Sequence, residues 1–220
     1  MTSKNGRLAS IFYYNGLASL AKSLAFRSMA IYGRKKNERI SATVSAYYSL
    51  LHLAIALMYF DPNEIEEPLR SSLLNKRKDG KTDPSKIIKH DLALQFIKKC
   101  TQEGLDRKFS TQFEYAKRFR EFVNYGPRIT ISDGKPSFGP CDDSPGDSDR
   151  LVSSLDEIFQ AAISWANNNS PLEGVLVKTA LSQCEDFFQK PDLFYTQWCS
   201  NFSVDTAMLF IKKLIKRLSP

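Results

Sequence analysis

Between Ser45 and Phe60 the chain carries no charged residue, and its apolar positions fall at helical spacing. Ala46, Leu50, Leu53, Leu57 and Phe60 stand at i, i+4, i+7, i+11 and i+14, while Leu51, Ile55 and Met58 fill the flank of that face. A helix apolar most of the way round is covered by neighbours on several sides, so this stretch predicts a central helix. The pattern runs from Arg39 to Phe60, and Asp61-Pro62 ends it because the residue before a proline leaves the helical region. Broken by His52 and the tyrosines, the stretch falls short of the roughly 20 apolar residues of a membrane span.

The same spacing predicts helices on either side. Leu8 to Gly33 reads as a first long helix, opened by Phe12, Tyr13 and Tyr14, lined by Leu17, Leu20, Leu24, Met29 and Ile31, and stopped at Gly33 with Arg34, Lys35 and Lys36 behind it. Asn63 to Pro84 is polar and basic and reads as a solvated loop, with a short helix at Ile65 to Leu74 as the alternative. Asp83 caps a third helix with Pro84 in its first position; it runs to Cys100 and buries Ile87, Ile88, Leu92, Phe96 and Ile97. Ser110 or Thr111 caps a fourth, Gln112 to Asn124, with Phe113, Tyr115, Ala116, Phe119 and Val123 apolar and Tyr125-Gly126-Pro127 as its stop.

Thr130 to Asp149, rich in Gly, Pro, Ser and Asp, predicts a loop. Leu151 to Asn167 is a fifth helix with Leu151, Leu155, Ile158, Phe159, Ala162 and Trp165 on one side. Pro171 to Gln183 predicts a sixth helix and Val204 to Leu218, capped by Ser203, a last one. No segment alternates as a strand should, so the expected class is all-α: a bundle over 8–167 and a helical C-terminal extension over 170–220. The last helix sets Val204, Met208, Ile211, Leu214, Ile215 and Leu218 against Lys212, Lys213, Lys216 and Arg217. That reads as a terminal helix docked on the core, the alternative being a basic amphipathic helix on a membrane surface or an acidic partner.

Composition changes this picture little. With 42% hydrophobic residues, 15 Phe and 9 Tyr, the chain can bury a sizeable core, and its net charge of +7 suits a phosphate-bearing partner. The cysteines Cys100, Cys141, Cys184 and Cys199 form no C-x-x-C pair and no zinc spacing, so they read as reduced thiols of a cytoplasmic protein. The first ten residues lack an apolar signal core. No phosphate-binding glycine loop, nucleophile elbow or H-E-x-x-H is present, and Glu64, Glu66 and Glu67 read as a solvated cluster; neither metal nor cofactor is expected.

Three separated stretches carry a resemblance. They are Ala46-Tyr47-Tyr48 followed by His52 and Ala54; Lys86-Ile87-Ile88-Lys89-His90 through Phe96-Ile97-Lys98-Lys99; and Arg120-Glu121-Phe122-Val123-Asn124-Tyr125-Gly126-Pro127. Together, in this order, they resemble the HEPN family, a helical domain of prokaryotic toxin–antitoxin and defence proteins. The resemblance covers residues 8–167 and implies an up-and-down helical bundle that forms a homodimer. It also implies work on RNA or nucleotides, or a partner such as a nucleotidyltransferase antitoxin. Catalytic members place a histidine a few residues after an arginine, and two such motifs meet at the dimer interface to cut RNA without metal. The matching arginine is Arg120, but Tyr125, Gly126 and Pro127 occupy the histidine positions; after Arg118 stand Val123, Asn124 and Tyr125. The arginine–histidine motif is incomplete, so the standard mechanism is not expected; metal-independent cleavage by a degenerate ribonuclease stays an open reading.

RNA cleavage needs a proton mover and a group that steadies the phosphate. His52 and His90 are the only histidines, and Arg120 can hold two phosphate oxygens with its planar fork. These three are the candidate catalytic residues, with Arg118, Asn124 and Tyr125 as candidates for RNA or nucleotide binding. Against these roles, His52 reads as a buried hydrogen-bonded histidine, His90 as a surface or helix-packing residue and Arg120 as an ion-pair partner of Glu114 or of neighbours of Glu121. Asn124 stands where the resemblance expects an aspartate, which removes a negative charge beside Arg120. Tyr47 and Tyr48 read as core aromatics, and Tyr125 as packed back on the core with its hydroxyl paired. The leading expectation is a HEPN-like protein of a defence or toxin–antitoxin system acting through RNA or nucleotide binding. The alternative is a non-catalytic dimeric scaffold that binds a partner protein through residues 170–220. No stable membrane insertion is expected.

Overall fold

The computed structural model describes residues 4–60, 90–125, 129–132, 135–138 and 145–169. They form five helices and one small hairpin: α1 (Lys4–Lys35), α2 (Arg39–Phe60), α3 (His90–Gln102), α4 (Arg107–Tyr125), β1 (Ile129–Ser132), β2 (Lys135–Phe138) and α5 (Pro145–Asn169). The expected helices beyond 170, the loop over 63–84 and the start of the third helix at Asp83 lie outside the described residues.

The charge-free stretch forms α2, and its bounds are those read from the sequence. It packs against α1, α3, α4 and α5, and from Leu53 to Phe60 every residue is buried. Each large aliphatic or aromatic side chain moved from water into such a core contributes about 1.5–3 kcal/mol, so α2 dominates the core. It is also long and apolar enough to cross a membrane, and most of it is buried within the protein.

α1 runs antiparallel to α2 at close approach. Ser23 Oγ donates to the Ser49 carbonyl at 2.6 Å, and Ser49 Oγ donates back to the Ser23 carbonyl at 3.0 Å. Farther along, Gly33 lies against Ala42. Small side chains bring the two backbones together here, and Gly33 is a packing residue inside α1 and not the stop that its chemistry suggested. The stop is Asn37, in the left-handed region at φ 62°. There Glu38 N–H donates to the Gly33 carbonyl at 2.8 Å and Asn37 N–H to the Arg34 carbonyl at 3.0 Å, closing the helix end with a Schellman motif.

α5 lies antiparallel to α1: Arg27 pairs with Asp156 and, two turns on, Arg34 with Asp149 at 3.3 Å. α4 starts earlier than expected. Asp106, and neither Ser110 nor Thr111, caps it by accepting Lys108 N–H at 2.8 Å, while both hydroxyls donate back to the Arg107 carbonyl from inside the first turn. The stretch expected to be a loop before the fifth helix holds most of the antiparallel pair β1–β2 and the first turn of α5, opened by Pro145. The hairpin is a local addition to a helical architecture.

Candidate functional site

The seam between α2 and α4, closed at one side by the start of α3, gathers the polar groups that the core would otherwise exclude. Tyr47 is its hub. The Tyr47 ring is fully buried, edge-on to Tyr48 at 5.1 Å between centroids, stacked on His90 at 5.7 Å and tilted against Phe113 at 5.9 Å. A buried tyrosine needs a partner for its hydroxyl, and Tyr47 finds it in His90 Nδ1. Burial holds the Tyr47 pKa far above its ordinary value, so the group is a phenol.

Arg120 enters the seam from α4. Its guanidinium carbon lies 5.7 Å from the centre of the Tyr47 ring and 5.9 Å from that of Tyr125, so the cation sits between two aromatic faces. A hydrogen bond joins it to Tyr48. Burial works against its charge, but that hydrogen bond and the phenols of Tyr48, Tyr47 and Tyr125 raise its pKa above the ordinary value. Arg120 Nε is buried and has no hydrogen-bond partner. Among the described residues no carboxylate pairs with Arg120: Glu114 is taken by Lys98 and Arg118, at 3.3 and 3.4 Å, and Glu121 by Lys117 at 3.8 Å.

His90 is half-buried beside this cation. Burial lowers its pKa first, and the charges of Arg120 and Lys117 push the same way against Asp91 and Glu121. The neutral imidazole is therefore favoured here more than in a free histidine. Lys117 itself is held between Asp91 and Glu121, which leaves Arg120 as the cation of the seam without a carboxylate.

The other candidate residues fall in different places. Arg118, two positions from Arg120, points to the opposite side of α4 as helical geometry requires, and pairs with Glu114. His52 is half-buried and stacked on Phe26 at 5.7 Å with 9° between the planes; its link to the seam runs through Phe26 and Tyr48, 5.2 Å apart. Tyr125 does not pack on the core: as the last residue of α4 it is 75% exposed. Asn124 is exposed and lines an open groove of about 910 Å³ between the end of α4 and the start of α2. Tyr47 is the residue that sequence reasoning assigned to packing alone. The available signal was a hydroxyl inside a charge-free helix, which demands a polar partner from a neighbouring element. Among the described residues no cluster of His, Cys, Asp and Glu has the makings of a metal site.

No protein-family model, no curated protein and no solved structure matches this chain.

Proposed function

We propose that this chain is a HEPN-like helical protein that binds RNA or nucleotide phosphates through Arg120, within a defence or toxin–antitoxin system. The observation that carries the reading is the state of the Arg120 guanidinium: charged, between Tyr47 and Tyr125, without a carboxylate among the described residues, and with an unpaired Nε–H. Unpaired buried donors are costly and gain most from an acceptor, and guanidinium pairs with phosphate through parallel hydrogen bonds. Tyr125, three-quarters exposed, is the cover that an incoming ligand displaces or stacks upon. The motif order around Tyr47, His90 and Arg120 and the net charge of +7 support the same reading. It carries with it a homodimer and a partner such as a nucleotidyltransferase antitoxin.

Fluorescence anisotropy with labelled single-stranded RNA tests it. Arg120→Ala should lose binding and reduce the slope of log affinity against log salt by about one, whereas Arg118→Ala should keep both nearly unchanged at high salt. A folded Arg120→Ala protein that binds as well as wild type would falsify the reading.

A second reading, metal-independent cleavage, has one observation in its favour: the His90 imidazole stacks on the Tyr47 ring that Arg120 also covers, and burial first, then Arg120 and Lys117, lower its pKa. In that reading His90 takes the 2′-hydroxyl proton and replaces the histidine missing after Arg120. Gel assays in EDTA with His90→Ala decide it; intact RNA with wild-type protein leaves the binding role alone.

A further inference from the structure

The groove beside Asn124 continues the seam that holds Arg120. Val123 and Asn124 stand three and four residues beyond Arg120 on α4, and Val44 and Ile40 stand three and seven before Tyr47 on α2. Both pairs are thus one to two turns along the same seam, about 5.4 Å per turn. Its walls are Ile40, Val44 and Val123, and Ile40 and Val123 are two of the large hydrophobic residues that the described part of the chain exposes, at 61% and 37%. Asn37, Ser41 and Asn124 add amides and a hydroxyl, and Arg39 and Glu38 offset one another.

Among its described lining residues the groove is apolar, near neutral and edged by amides, which makes it a poor phosphate site. It suits a flat heterocycle with hydrogen-bonding edges: an Asn side chain offers a donor and an acceptor side by side, and aliphatic walls take the ring faces. We infer that this groove is a nucleobase subsite, filled by a base of the strand whose phosphate sits on Arg120. The inference rests on the phosphate reading of Arg120 and adds to it which part of the nucleotide goes where. A volume of about 910 Å³ leaves room for a purine and its ribose.

The test uses the full chain and two probes of equal length, about ten nucleotides, within the usual footprint of single-strand binders: a labelled single-stranded RNA and an abasic strand with the same phosphates. Wild type should bind the RNA about tenfold or more tighter than the abasic strand. Ile40→Ser/Asn124→Ala changes two exposed side chains and no charge; it should remove most of that preference and leave abasic binding unchanged. Arg120→Ala should weaken both probes. Equal wild-type affinity for the two probes, or a double variant that keeps the preference or weakens both probes alike, overturns the nucleobase subsite while the Arg120 reading stands. Failure of wild type to bind either probe, or insensitivity of both to Arg120→Ala, overturns the phosphate reading and the subsite with it.

Discussion

The Tyr47 hydroxyl and His90 Nδ1 share a hydrogen bond that ties the middle of α2 to α3. Tyr47 is held as a phenol by burial, and the pKa of His90 is lowered by burial and by Arg120 and Lys117, against Asp91 and Glu121. The sign of the pH dependence follows. The unfolded chain takes up the His90 proton more readily than the folded one, so this contribution to stability is fully present above the ordinary histidine pKa of about 6.5 and falls as pH drops through it towards the folded value. Urea midpoints between pH 8 and pH 5.5 should fall more steeply for wild type than for His90→Gln, which removes the titration and leaves the carboxylates unchanged. An imidazole titration by NMR with a His90 midpoint at or above the ordinary value would sink this account.

Arg120 should contribute to binding and cost the fold. Its unpaired Nε–H is a buried polar group without compensation, and such a group costs about 1–3 kcal/mol. Its bond to Tyr48 and its two aromatic contacts offset part of that. Arg120→Met, similar in length and apolar, should change unfolding free energy by less than about 1 kcal/mol in either direction while RNA binding is lost. A drop of several kcal/mol in urea unfolding would make Arg120 a structural residue and remove the main support for its functional role.

Among the described residues the charge buried in the core is Arg27. Its side chain is only 2% exposed in the α1–α5 interface, where Nε donates to Asp156 Oδ1 at 2.6 Å and Nη2 donates to the same oxygen. Asp156 is 63% exposed, so water can partly replace it. Asp156→Ala should therefore cost about 2 kcal/mol, below the 3–5 typical when one partner of a fully buried pair is removed. Arg27→Met, which removes the buried charge as well, should cost no more than Asp156→Ala. Equal urea midpoints for wild type and Asp156→Ala would show that the guanidinium is held without the carboxylate.

What was legible in the sequence was the part set by long hydrophobic runs. α2 was readable to the residue because nothing charged interrupts it from Ser45 to Phe60, and the buried side of α5 was readable from Leu151, Leu155, Ile158, Phe159 and Trp165. Helix ends were harder, because they depend on backbone geometry. Gly33 looked like a stop, yet its lack of a side chain serves the approach of Ala42, and Asn37 takes the left-handed position instead. Most of the pair β1–β2 falls within Thr130–Asp149, which reads as loop even though Asp133-Gly134, a strong hairpin dipeptide, separates the strands in sequence; a proline in β2 and strands of four residues hide the alternation. Within the candidate site, Arg120 and His90 were found, but their meeting at Tyr47 comes from three helices packing together, which no local pattern encodes. Arg27 could not be found, because a buried arginine differs from an exposed one only in what surrounds it.

Gly16 offers the sharpest test of the α1–α2 packing. A Cβ built on it would lie 2.6 Å from Phe60 Cε1 and 2.9 Å from Cδ1. In an open helix Gly→Ala stabilises by about 0.5–1 kcal/mol, so a naive expectation favours the substitution. Here the contact is with a ring that is 1% exposed at the end of the central helix, with little freedom to retreat. Overpacking of this kind costs about 1–3 kcal/mol, and the clash should win: Gly16→Ala should lower the urea midpoint. Phe60→Leu alone should also destabilise, by opening a cavity, but Gly16→Ala/Phe60→Leu should be more stable than the sum of the two single losses, because the smaller side chain makes room for the added methyl. Additive losses in that double-mutant cycle would mean that Gly16 and Phe60 are not in contact, and that α1 lies differently along α2 at this end.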